Sequence, residues 1–129
     1  MVLFVGRILK EKGIIEYIKA AEILKKIYPD WKFVVAGATD YLKTSKIDKK
    51  ILKKYNKKKI VDFLNYKKNM INIYNKASIV CLPSYREWLP KSLCEAAACG
   101  LPIVTTNVIG CKSAIIPNKT YSIFIICNG

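Results

Sequence analysis

The chain predicts an α/β fold built on a doubly wound parallel sheet of about six strands, and three observations predict it. Short apolar runs alternate with helical patterns from one end to the other. The run at 79–82 is apolar at every position, as a parallel strand covered on both faces should be. Repeated β-α-β alternation with no linker, internal repeat or low-complexity tail then demands right-handed crossovers within one sheet. At 129 residues and 52% hydrophobic, the chain can bury the core of one domain.

The elements follow in order. Residues 2–5 form a short strand ending at Gly6-Arg7, and residues 14–28 carry apolar side chains at 14, 15, 18, 21, 24 and 27, the stripe of an amphipathic helix that Pro29 closes. The second strand is expected at 31–36, ending in Gly37, and a lysine-rich helix at 46–55 that buries Ile47, Ile51, Leu52 and Tyr55. A strand at 60–63 and a short helix at 69–76, with Met70, Ile73 and Tyr74 inward, lead to the strand at 79–82. The helix at 90–99 is the best punctuated: Pro90 suits its first turn, Gly100 its cap and Pro102 the stop beyond. Residues 103–106 make a fifth strand and 121–126 a sixth.

Composition excludes several classes of chemistry. The chain has no histidine, which removes the usual general base and the commonest metal ligand. Cys81, Cys94, Cys99, Cys111 and Cys127 show no CxxC spacing, so reduced thiols packed as small hydrophobes are expected rather than a zinc site. No apolar run reaches the roughly 18 residues of a membrane span, and the start lacks a signal-peptide pattern, which reads as cytoplasmic. The net charge of +14 comes from 21 lysines and two arginines, eleven of the lysines lying between Lys43 and Lys68. Scarce arginine and few interleaved aromatics argue against nucleic acid, leaving a solvated face or weak attraction to an anionic membrane surface.

In open α/β sheets, ligands bind outside the carboxyl ends of the strands. Two loops there carry chemistry. Between the first strand and first helix, Gly6-Arg7-Ile8-Leu9-Lys10-Glu11-Lys12-Gly13 sets a guanidinium and an ammonium five residues apart, which suits a diphosphate. The same spacing also fits a glycine turn with solvated cations. In the loop and helix after the fourth strand, Glu87 and Glu95 are the only carboxylate side chains beyond Asp62. They can grip adjacent hydroxyls of a ribose or sugar. They can equally be surface partners of Arg86, Lys91 or another lysine. An acid and nucleophile pair for glycoside hydrolysis leaves the cationic loop unexplained.

Phe4-Val5-Gly6-Arg7 with Lys12-Gly13, Leu82-Pro83-Ser84-Tyr85-Arg86-Glu87, and the run from Glu95 through Gly100-Leu101-Pro102 to Asn107 resemble the C-terminal half of retaining glycosyltransferases of family 4. The resemblance covers about residues 2–113, and Glu87 and Glu95 stand at the E-x7-E spacing typical of these enzymes. It implies a Rossmann-like domain over 1–129, one half of a GT-B fold, with the N-terminal acceptor-binding half outside this sequence. It implies that Arg7 and Lys12 bind the donor diphosphate, Glu95 the ribose, Glu87 the donor sugar, and that Leu89 belongs to the same site. Arg7, Lys12 and Glu87 would then assist the transfer. The implied reaction is metal- and cofactor-independent transfer from a nucleotide-sugar, often uridine-linked, to a polysaccharide or lipid-linked glycan, at the inner face of the cell membrane. A non-catalytic nucleotide-binding remnant, or a subunit needing a separate N-terminal half, is the alternative.

Three positions depart from the family pattern. Trp88 stands where glycine usually follows the first glutamate, so a left-handed backbone there would be strained and the indole would fill donor-sugar space, stack on a sugar or point into solvent. Asn65 replaces a glycine beside the nucleotide base, a mild change because asparagine tolerates left-handed backbone. Ser113 replaces a common acidic residue.

Overall fold

The computed structural model describes residues 1–38, 47–64 and 69–115, and the backbone of a last strand at 122–125. Six parallel strands form one sheet in the order β3-β2-β1-β4-β5-β6. They are β1 (Val2–Val5), β2 (Phe33–Ala36), β3 (Asp62–Leu64), β4 (Ile79–Leu82), β5 (Ile103–Thr106) and β6 (Ser122–Ile125). Helices α1 (Ile14–Ile27), α2 (Lys49–Lys57), α3 (Ile71–Tyr74), α4 (Lys91–Ala98) and α5 (Ile109–Ser113) join them. The expected doubly wound architecture is present. Strand order reverses between β1 and β4, which pair through Val2 with Ile79 and Leu3 with Val80.

The core is the sheet's own side chains with the inward faces of the helices. Leu3, Phe4, Val35, Val80 and Ile103 are buried, and Ile14, Ile18 and Ala21 of α1 pack with them. The expected stripe on α1 holds only over its first half. Leu24 is 37% and Ile27 61% exposed, while Tyr17 turns inward. Strand length explains this, since four residues span about 13 Å and a 14-residue helix about 21 Å. The last turns of α1 therefore overhang the sheet. Tyr17 also has a polar reason to be inside. Its hydroxyl lies 3.0 Å from the Val2 carbonyl and 3.1 Å from that of Val34, and accepts the Val34 N–H at 3.1 Å. The ring packs near Phe4 and Phe33.

Other boundaries shift for local reasons. The lysine-rich helix starts at Lys49 because the Asp48 side chain caps it, accepting from Lys50 N–H at 2.8 Å. Ile47 is buried ahead of that helix, whereas Ile51 lies on its exposed side. Trp31 falls outside β2 and is partly exposed. The third strand starts two residues later than expected, because Lys59, with a φ of 55°, and the Ile60 N–H bond to the Tyr55 carbonyl turn the chain first. Pro90 is the N-cap of α4, and Gly100 takes a φ of 69° just past its end. Helix α5 and a 3-10 turn at Lys10–Lys12 carry too short a pattern to be read from periodicity. Asn65 and the lysines at 43, 46, 67 and 68 lie outside the described residues.

Burial raises the Tyr17 hydroxyl well above its ordinary 10.0 and pushes the Cys81 thiol from 9.0 to about 12. Both groups stay neutral in the fold where the unfolded chain would ionise them, so their contribution is intact below pH 9 and is lost as pH rises above it. Urea unfolding at about pH 7, 9 and 10.5 should show a falling midpoint above about pH 9, with a shallower fall in Cys81→Ala.

Candidate functional site

The switch point between β1 and β4 brings the two loops noted in the sequence against each other. Ser84, fully buried, donates its hydroxyl to the Glu11 carbonyl at 3.1 Å and lies 3.3 Å from the Arg86 carbonyl. The Tyr85 N–H also donates to the Glu11 carbonyl, at 2.9 Å. From β5, the Thr106 hydroxyl donates to the Ser84 carbonyl and the Thr105 hydroxyl to the Leu82 carbonyl. The loops after β1, β4 and β5 are thus laced through backbone carbonyls.

Two glycines make this approach sterically possible. Gly13 has a φ of 74°, and a Cβ there would overlap the Pro83 carbonyl. A Cβ on Gly110 would overlap the carbonyls of Glu87 and Trp88. The backbone around Glu87 is therefore gripped from the α1 side and from the α5 side.

Within this frame Lys12 Nζ donates to Glu87 Oε1 at 2.6 Å, with the two side chains 16% and 8% exposed. Arg86 and Lys91, the partners foreseen for a merely superficial Glu87, are displaced by a cation 75 residues away in sequence. Glu95 has its foreseen surface lysine, Lys91, at 3.6 Å one turn back on α4. It also has a buried partner. The Tyr74 hydroxyl donates to Glu95 Oε2 at 2.8 Å and lies 3.3 Å from the Ser92 carbonyl.

A cleft of about 440 Å³ opens over these groups at the carboxyl ends of β1, β2 and β4. Arg7, Lys12, Glu87, Leu89 and Glu95, the five residues singled out in the sequence, all line it, together with the first turn of α4. Cys111, buried on α5, has its thiol raised by burial, against the hydrogen bonds of Thr105 and Thr106. Trp88 does not line the cleft. It is 94% exposed. The left-handed strain foreseen for Trp88 is absent too, since among the described residues Lys59 is the non-glycine residue with positive φ. Among the described residues no cluster of three or more metal-ligating side chains gathers, and no helix is long and apolar enough to cross a membrane.

Tyr74 and Ser84 also belong to this region, although no local sequence pattern marks them. Tyr74 reads as a core residue from its spacing, and nothing local signals that its hydroxyl reaches a carboxylate 21 residues on. Ser84 stood inside the recognised motif, but its bonds depend on the fold of another loop.

The family model for glycosyl transferases group 1 matches residues 1–128. The chain belongs to that family. An uncharacterized glycosyltransferase of Haemophilus influenzae is 34% identical over 106 residues, covering 82% of this chain and 29% of that protein. The N,N'-diacetylbacillosaminyl-diphospho-undecaprenol alpha-1,3-N-acetylgalactosaminyltransferase of Campylobacter jejuni is 30% identical over 115 residues, covering 89% of this chain and 28% of the relative. The crystal structure of Anabaena HepE in complex with UDP superposes with a TM-score of 0.77 at 18% identity, over 95% of this chain and 34% of HepE, a likeness of fold. This glycosyltransferase-family chain spans about three-tenths of the length of its curated relatives. Its fold is that of a C-terminal GT-B domain.

The Lys12–Glu87 pair gives a direct stability test of the site's geometry. Lys12→Met should leave a nearly buried carboxylate without its partner and cost about 3 kcal/mol. In urea unfolding, the double variant Lys12→Met/Glu87→Gln should recover most of that loss, because the amide that replaces the carboxylate carries no charge to strand.

Proposed function

We propose that this chain is the donor-binding half of a glycosyltransferase that takes a sugar from a nucleotide-sugar, uridine-linked, and passes it with retained configuration to a cell-envelope polysaccharide or lipid-linked glycan. The observation that carries the reading is the convergence of Arg7, Lys12, Glu87, Leu89 and Glu95 on one cleft at the switch point. Two comparisons support it. HepE was crystallised with UDP in the same fold, and the Campylobacter relative is named for an undecaprenol-diphosphate-linked acceptor.

The chemistry follows from the groups in the cleft. When the bond between the sugar and the diphosphate breaks, negative charge builds on the departing phosphate. The Arg7 guanidinium can meet it as a fork and Lys12 as a point charge, while the positive end of α4 adds backbone N–H groups. In this reading those cations supply the charge that a divalent metal supplies elsewhere, and no cofactor is needed. Lys12 is already held by Glu87, so it meets the phosphate without losing the freedom of a loose lysine. Glu87 keeps acceptor capacity for donor-sugar hydroxyls, Glu95 for the ribose, and Leu89 gives the site an apolar wall.

Because the chain spans under a third of its relatives' length, the reading assigns acceptor binding and turnover to a further half. The chain alone is then a nucleotide binder. The exposed lysines of α2, among them Lys50, Lys53, Lys54 and Lys57, support weak attraction to the inner, anionic face of a membrane.

Calorimetry with UDP tests the proposal. The 129-residue chain should bind UDP with unchanged affinity in excess EDTA. Arg7→Ala or Lys12→Ala should each weaken binding about tenfold, the loss of one charge-assisted contact. Trp88→Gly should change affinity less than about twofold, since the indole stands outside the cleft. Failure to bind UDP removes the reading, and steady sugar transfer by the chain alone removes the need for a second half.

A further inference from the structure

Tyr74 places a buried hydroxyl against one of the two carboxylates of the cleft. The residue is 1% exposed, at the end of α3, and its Oη donates to Glu95 Oε2 at 2.8 Å. A hydroxyl carries one proton, so the Ser92 carbonyl at 3.3 Å takes only the weaker share of it. The other oxygen of Glu95 lies 3.6 Å from the ammonium of Lys91, whose side chain is 84% exposed. A contact of that length to a solvated lysine does little to fix the carboxylate. The group that holds Glu95 in one orientation is therefore the phenol, packed from a different element than the helix that carries the glutamate. A hydrogen bond to an ionised acceptor is about twice as strong as a neutral one, and a rigid phenol holds it with few torsions to freeze.

We infer that Tyr74 is a positioning residue that orients Glu95 so that its carboxylate meets the ribose hydroxyls of the nucleotide, and that it thereby sets the preference of the site for ribonucleotides over deoxyribonucleotides. The inference rests on the donor-site reading above. Tyr74 itself does not line the cleft and acts on the ligand only through Glu95. With Oε2 engaged by the phenol, the carboxylate is held in one rotation, and Oε1, on the solvent side near Lys91, keeps acceptor lone pairs for a diol in the cleft. Without the phenol hydroxyl the glutamate keeps its charge and loses its single orientation. A ribose then bears the cost of ordering it, whereas a deoxyribose has less to gain from it in either case.

The test is the ratio of affinities for UDP and 2'-deoxy-UDP, measured by calorimetry on the 129-residue chain, on Tyr74→Phe, on Glu95→Gln and on the double variant. The expected result is a preference for UDP of about tenfold in the unmutated chain, most of it lost in Tyr74→Phe through weaker UDP binding with 2'-deoxy-UDP little changed. Adding Tyr74→Phe to Glu95→Gln should then change the ratio no further. A purely structural tyrosine would weaken both nucleotides equally or neither, and either outcome with the Glu95→Gln ratio collapsed overturns the positioning role while leaving the donor site intact. A chain that binds UDP and 2'-deoxy-UDP alike, with Glu95→Gln indifferent, removes the ribose contact and the inference with it. Should Tyr74→Phe unfold, the ratio is read instead for Glu95→Asp, whose shorter side chain withdraws from the phenol: an undiminished ratio there overturns the proposal.

Discussion

The reversal of strand order between β1 and β4 is the constraint from which the rest of this molecule follows. With right-handed crossovers, the connection from β1 to β2 and that from β4 to β5 must lie on opposite faces of the sheet. The helices that follow β1 and β4 therefore pack on opposite faces, and a crevice opens over the strand ends beside the loops that lead to them. An open crevice over the strand ends is a weak place unless the loops that border it are tied. Here the tie is made at backbone carbonyls: the Ser84 hydroxyl and the Tyr85 N–H both reach that of Glu11, and the Thr106 hydroxyl holds that of Ser84 from the next strand.

That tie has an electrostatic consequence. Once the 3-10 turn at Lys10–Lys12 is fastened to the β4 loop, Lys12 and Glu87 are brought together in a place where water reaches them poorly. A pair of this kind adds little to stability relative to an apolar pair of the same shape, because desolvation offsets the attraction. Its effect is on geometry. Each charge is held in the cleft in a single orientation, and neither can be removed without stranding the other. Arg7, on the exposed side of the same loop, adds a second cation to the lining of the cleft.

The glycines of this domain divide by what they permit. Gly13 and Gly110 exist for close approach, and their neighbours are the carbonyls that flank the β4 loop. Gly100 has open space around it and serves the backbone turn after α4 alone. Trp88 shows the same division within one residue: its backbone carbonyl meets Gly110, and its side chain stands in solvent outside the cleft. Such an indole stands clear of the cleft, so the departure from the family pattern alters the surface and spares the pocket.

The amino-acid sequence by itself determined the order and kind of the principal elements, because period 2 and period 3.6 patterning and the punctuation of Pro90, Gly100 and Pro102 are local properties. It also marked Arg7, Lys12, Glu87, Leu89 and Glu95, through a motif whose spacing survives in the chain. What it left open was partnership. Arg86 and Lys91 both stand close to the first glutamate in sequence, and only folding chose Lys12 instead. The buried face of α1 is shorter than its apolar stripe, because a helical stripe records amphipathicity and not the length of the sheet beneath it. Tyr74 and Ser84 were invisible as site residues because a hydroxyl's role is set by which carboxylate or carbonyl the tertiary structure carries to within about 3 Å. In both cases that partner comes from a distant stretch of chain.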